Sequence, residues 1–132
     1  MADETRGRGA YGVDGVAWVY LVGLGLVLWG ACGAVITIGR RLWTLDVTLR
    51  VHLAAAPVIA FLLSAVHALL AAEFGRVLRA VVLTALVVVL DAVVVAPVFE
   101  RRYAMFRSFI GTWLPFVAIF AASLLAGLAV PR

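Results

Sequence analysis

The chain reads as an all-α integral membrane protein, a four-helix bundle with antiparallel up-down topology, and three observations lead there. Hydrophobic residues fill 66% of the 132 positions and charged residues only 14%, with a mean hydropathy of +1.16; a soluble domain carries about 25% charge. Four apolar stretches each approach the ~20 residues that a helix needs to cross a hydrocarbon core of about 30 Å. The connectors left between them are about 13, 7 and 9 residues long, too short to hold a soluble domain, so neighbouring spans must run antiparallel in one compact bundle.

A polar amino-terminal tail over residues 1–15 precedes a single domain over 16–132, with spans expected at Val16–Ile38, His52–Ala72, Ala80–Phe99 and Phe109–Val130. The first span exceeds the 7 to 15 apolar residues of a signal-peptide core, and Asp3, Glu4 and Asp14 offset Arg6 and Arg8 ahead of it, so it is expected to be retained. Cys32 is the lone cysteine. It can form no intrachain disulfide, and as one thiol beside two histidines it offers no thiolate zinc site; a small buried hydrophobe is the expected role.

All eleven basic residues are arginine. Arg40, Arg41 and Arg50 flank the first connector and Arg101, Arg102 and Arg107 the third, six in all, against five on the other face, Arg6, Arg8, Arg76, Arg79 and Arg132. The excess places connectors one and three in the cytoplasm and both termini outside, in a bacterial inner membrane. The sequence pI near 10.2 reflects arginines at helix ends and no basic domain, which suits anionic lipid headgroups and argues against nucleic acid.

Trp43, Tyr103 and Trp113 fall near one membrane face and Trp18, Tyr20 and Phe74 near the other, as interfacial belts require. In the third connector Phe99, Tyr103 and Phe106 recur at helical spacing among charges, the pattern of a short helix lying on the surface. Small residues point to helix contacts, because apolar bulk alone does not drive association in lipid. Gly23, Gly25, Gly30, Gly33 and Ala34 give the first span a thin surface, while Ala56, Ala60, Ser64 and Ala68 recur every four residues on the second and Ala118, Ala122 and Ala126 on the fourth. Pro57, Pro97 and Pro115 interrupt three spans. Such close-packing rows suit a homo-oligomer or a subunit of a larger membrane complex.

Asp91 is the best functional lead. It interrupts the apolar run Ala80–Phe99, and an acid in lipid costs roughly 2.5 to 3.5 kcal/mol on insertion scales, so a helix that keeps one has a partner, a cavity or a proton to offset the cost. Nine residues from Glu100, it lies about 13 Å below that face, level with Gly30 to Cys32 of the first span. Thr112 and the Trp113 ring N–H are the expected donors. A protonated carboxyl bonded to a backbone carbonyl is the structural alternative.

His52 and His67 stand fifteen residues apart on the second span, about 22 Å along its axis and about 60° around it. His67 is the deeper and is expected to reach Asp91 through water, Ser64 or Thr84, a proton path. The same spacing supports another class, because b-type membrane cytochromes hold haems near opposite faces with two histidines on one helix. With no third histidine, a haem b bound by His52 or His67 needs a second protomer or another subunit for its other axial ligand.

The stretch Asp91 to Phe120, with Pro97-Val98-Phe99-Glu100-Arg101, Met105-Phe106-Arg107-Ser108 and Gly111-Thr112-Trp113-Leu114-Pro115-Phe116, resembles the carboxyl half of small uncharacterised bacterial membrane proteins with four spans, which implies no activity. The compact four-span format also resembles the small multidrug resistance transporters. Their proton-coupled carboxylate lies in the first span, where this chain has none.

The expectation is therefore a proton-linked transport or permeation protein. Asp91 and His67 would form its proton or ion site, with Thr112, Trp113, Ser64 and Thr84 in support and Arg40, Arg41, Arg101, Arg102 and Arg107 at the mouth. The alternative is a haem-bearing or accessory structural subunit of a respiratory complex. No catalytic nucleophile, metal set or phosphate loop is expected.

Overall fold

The computed structural model describes residues 2–72, 74–99 and 107–130. Helix α1 covers Ala2–Leu42, α2 Leu45–Leu70, α3 Arg76–Leu90 and α4 Leu114–Ala129. A wider π-helical segment, Asp91–Phe99, continues α3, and a second, Phe109–Trp113, leads into α4. The stretches Gly15–Leu42, Leu45–Leu70, Arg76–Val98 and Gly111–Ala129 are long and apolar enough to cross a membrane. The chain is thus an all-α four-helix bundle.

The helices outrun the expected spans at their charged ends. Where a connector of about 13 residues was expected, α1 runs through Arg40 and Arg41 to Leu42 and α2 begins at Leu45. Thr44 explains the tight turn: its extended backbone and hydroxyl cap α2 by accepting the Val47 N–H at 3.4 Å, while its carbonyl accepts from the Thr48 hydroxyl at 2.8 Å. The charges also suit the helix ends, with Arg40 and Arg41 in the last turn of α1 and Asp46 in the first turn of α2. Asp46 pairs with Arg50 at 3.1 Å, and both side chains are exposed. Charge ends an apolar window before it ends a helix. Likewise α3 starts at Arg76, four residues ahead of the expected span.

Each wide segment goes with a proline. In an α-helix the ring of Pro97 would strike the carbonyl four residues back and leave it without its N–H donor; the wider turns over Asp91–Phe99 accommodate the ring within a continuous helix. Pro115 sits in the first turn of α4, directly after the second segment, where a missing N–H costs least. Ser108 caps that segment by accepting the Gly111 N–H at 3.0 Å. The expected surface helix of the third connector lies outside the described residues, apart from its ends at Phe99, Arg107 and Ser108.

Helix α1 packs against α2 and α3, and α4 packs against the same two, so the order around the bundle is α1, α2, α4, α3. The small rows on α2 and α4 face inward: Ala56, Ala60, Ser64 and Ala68 are buried, as are Ala122 and Ala126, with Ala118 half-buried. They surround a core of Leu28, Cys32, Val87, Phe116 and Ile119. The outward surface is hydrocarbon, including Val19, Leu69 and Leu128, which suits contact with lipid tails.

The thin surface expected on α1 divides. A methyl group at Gly25 would collide with Leu86 of α3, and one at Gly39 would lie 2.6 Å from Thr48 Cγ2 of α2. Gly23, Gly30 and Gly33 instead meet open space. At the other end of the bundle a methyl at Gly127 would lie 2.7 Å from Arg76 Cβ and 3.6 Å from its Cα, so α4 touches α3 at the level of its backbone. Gly127→Ala is accordingly expected to destabilise the bundle by about 1 to 3 kcal/mol through overpacking. Gly23→Ala should be neutral or gain up to about 1 kcal/mol from helix propensity. Detergent-solubilised variants compared by thermal unfolding would show a lowered midpoint for the first alone.

Candidate functional site

Two polar centres occupy opposite ends of the bundle. Row spacing on α3 links them: Arg79, Leu83, Val87 and Asp91 follow one another every four residues along its inward side, the first three fully or almost fully buried and Asp91 half-buried. At 1.5 Å per residue the two charged residues are about 18 Å apart along the axis.

At one end, Arg79 is 2% exposed and His67 is fully buried. Arg79 Nε donates to His67 Nδ1 at 2.8 Å, and Nη2 donates to the carbonyls of Phe74 at 3.1 Å and Ala71 at 3.4 Å. Because Nδ1 accepts, the His67 proton belongs on Nε2, which donates to the Ala17 carbonyl of α1 at 3.0 Å. Ala71 caps α2, so the guanidinium also satisfies backbone at the end of that helix. Phe74 closes the centre, edge-on to both His67 and Trp18 with centroids 5.1 Å apart in each case. Phe74, expected in an interfacial belt, is buried, and Arg79, expected as a surface charge, is the hub of α1, α2 and α3.

At the other end, a cavity of about 770 Å³ opens between all four helices. Helix α1 contributes Trp29, Gly30, Cys32 and Gly33 deep inside and Thr37, Arg40 and Arg41 higher; α2 contributes Leu45, Leu49 and His52. Asp91 and Val95 project from the π-helical continuation of α3, Thr112 from the second π-helical segment, and Pro115 and Phe116 from the start of α4. The side-chain-free surfaces of Gly30 and Gly33 are part of what makes the space.

The structure brings together Asp91, Thr112, Arg40 and Arg41 of the expected site. The donor to Asp91 is Trp29, a residue the sequence did not single out; its Nε1–H reaches Oδ1 at 3.0 Å. Trp113 lies at the bundle surface, 46% exposed and edge-on to Phe116 at 5.9 Å. His67 is not part of the cavity. Its Nδ1 is held by Arg79, 12 residues from Asp91 on α3, and its Nε2 by the Ala17 carbonyl of α1, and the hydroxyls of Ser64 and Thr84, the expected stepping stones, have no hydrogen-bond partner among the described residues. The histidine that shares the cavity with Asp91 is His52, expected at the site only as a ligand in the haem alternative; its Nδ1 is buried and has no hydrogen-bond partner among the described residues. Arg107 is exposed at the same end, whereas Arg101 and Arg102 lie outside the described residues. For the haem alternative, an axial bond from His67 would have to replace its bond to Arg79 or to Ala17.

Among the described residues no cluster of three or more His, Cys, Asp or Glu side chains is placed to hold a metal ion. What the cavity offers is a single carboxylate held by one indole donor, a buried imidazole and a cationic rim. Comparison of the chain with protein-family models, curated proteins and solved structures finds no match.

The two centres differ in what a substitution should do. His67→Ala removes an acceptor from a buried guanidinium, and hydrogen bonds to charged groups are worth roughly 1.5 to 3 kcal/mol; the unfolding midpoint in detergent should fall accordingly. Trp29→Phe should lower stability by less than about 1 kcal/mol and leave that midpoint close to the parent's, because Asp91 borders a cavity that water can enter to replace the lost donor. Equal losses in the two variants would contradict this division.

Proposed function

We propose that this chain is a small proton-linked transport or permeation protein of a membrane, with Asp91 as the group that takes up and releases the proton. The compartment in this reading is a bacterial inner membrane, with the face that carries Arg40, Arg41, Arg50 and Arg107 in the cytoplasm. The observation that carries the reading is the position of Asp91: the carboxylate stands at the floor of a cavity bounded by all four helices, within an apolar span. An ionisable side chain at such a depth marks a pathway more often than a packing contact.

Geometry supplies the division of labour. Trp29 fixes Oδ1, leaving Oδ2 to exchange a proton with water in the cavity. His52 lines the same space and replaces His67 as the second titratable group along the path. Arg40 and Arg41 give the entrance positive charge, which raises the local concentration of anions. The closed end, where Arg79 ties three helices together, separates the cavity from the opposite face. Passage would then require that end to open while the cavity narrows, the exchange of access that small transporters use around a midplane site.

Reconstitution into liposomes carrying an internal pH indicator tests the reading. Asp91→Asn should reduce proton flux to the level of empty liposomes while membrane insertion and oligomeric state stay as in the parent, and Asp91→Glu should keep part of the flux. Unchanged flux in the Asn variant would refute the role of Asp91. Loss of folding in both variants would make the carboxylate a structural element.

A further inference from the structure

The cavity has a polarity that runs along the bundle axis. Arg41 and Arg40 stand at its rim, twelve and eleven residues beyond Trp29 on α1, which makes the rim-to-floor depth about 18 Å. Below the rim the walls are predominantly apolar and end on Phe116, Val87 and Ile119 beside Asp91. Its volume of about 770 Å³ falls among sites for single small organic molecules, roughly 300 to 1,000 Å³.

Two observations say what kind of molecule belongs there. The first is His52. It is 9% exposed, lines the cavity and holds its Nδ1 without a hydrogen-bond partner among the described residues. Burying a polar atom in that way costs free energy unless something in the cavity bonds to it. The second is the charge order. A molecule entering from the rim passes the exposed Arg41 before it meets Asp91, the one carboxylate among the described lining residues, whose Oδ1 is already held by Trp29. An organic cation would meet repulsion first. An anion with an apolar body would leave its head between Arg41 and His52 and lay its chain on the Trp29 and Phe116 rings.

We infer that the cavity is a binding site for an amphiphilic monocarboxylate, a single apolar chain ending in a carboxylate, held by Arg41 and His52 at its head with its chain directed toward Asp91. The inference names the substrate class of the proposed transporter and rests on that reading for the word substrate. It also gives the coupling a physical cause: a negative Asp91 at the floor opposes the entry of a second negative charge, and a protonated one does not.

Cys32 provides the measurement. It is the single cysteine of the chain and lines the cavity, so alkylation by N-ethylmaleimide, followed by mass spectrometry, reports access to the cavity, with Cys32→Ala as the blank. In nanodiscs of phosphatidylcholine, decanoate at roughly ten times its half-effect concentration should slow alkylation about ten-fold by mass action. Decanol and decyltrimethylammonium at that concentration should protect several-fold less. Arg41→Gln, at an exposed position, and His52→Gln should each shift the decanoate half-effect concentration upward by about ten-fold, the loss of one charge-assisted or buried hydrogen bond.

Equal protection by all three chains would overturn the inference and leave a merely apolar cavity. Stronger protection by the ammonium would reverse its charge, and protection by phosphatidylglycerol in the disc without decanoate would assign the site to membrane lipid. Absence of alkylation in the parent, even at a pH alkaline enough to ionise a buried thiol, would mean that the cavity is closed to small molecules, which also overturns it. The binding result and the transport result separate cleanly: anion-selective protection without proton flux would remove the transporter and keep the site, and flux without such protection would do the reverse.

Discussion

Arg79 is the residue on which the shape of this bundle depends. In hydrocarbon a guanidinium must find its acceptors inside the protein, and here it takes them from the His67 ring of α2 and from the carbonyls that end that helix. His67 passes the connection on to the Ala17 carbonyl of α1. Three helices are thereby drawn to one point, and Gly127 allows α4 to approach α3 at the same level. At the other end α1 and α2 are joined by a two-residue turn, and the widened backbones at Asp91–Phe99 and Phe109–Trp113 border the cavity there. The π-helical turns also place Asp91 at the boundary between the narrow and wide parts of its helix, a location where such turns recur at functional sites.

Much of this was legible in the residues. Span number, order and polarity follow from apolar windows and short connectors, because the bilayer thickness leaves few alternatives. Asp91 stands out since it is the one carboxylate with hydrocarbon on both sides. The four-residue rows of Ala56, Ala60, Ser64 and Ala68 read directly as a packing face, and they are one. Helix ends were less legible: hydropathy windows stop at Arg40 and Arg41, although Thr44 followed by Asp46 is a capping signal that places the start of α2 within the supposed connector.

What escaped the sequence depends on helix rotation and on where the helices end. Trp29 and Asp91 are sixty-two residues apart, and their bond depends on how α1 is rotated about its axis, which apolar periodicity sets poorly when a helix is hydrophobic on every side. The exchange of His67 for His52 is a matter of depth: His67 bonds Arg79, about 18 Å from Asp91 along α3, and His52 lies fifteen residues back along α2 towards Asp91; a span taken to start at His52 puts both histidines too near the first face, whereas α2 begins at Leu45. Arg79 left a trace that went unused. An arginine at a span end normally turns outward to the interface, yet the row Arg79, Leu83, Val87, Asp91 puts it on the same helix side as the midplane acid, and a side that is inward at Asp91 is inward at Arg79 too.

The contrast between the centres explains why one end is closed and the other is a site. Around Arg79 and His67 donors meet acceptors on three elements, both imidazole nitrogens are used, and an aromatic ring seals the space. A network completed in this way gains nothing from an added molecule and resists water. Around Asp91 the network is open: one carboxylate oxygen holds an indole N–H, and a histidine nitrogen is buried without a partner among the described residues. An apolar span tolerates that incompleteness only where water, a proton or a ligand completes it. The same helix therefore carries, about 18 Å apart, a charge that the fold encloses and a charge that borders open space.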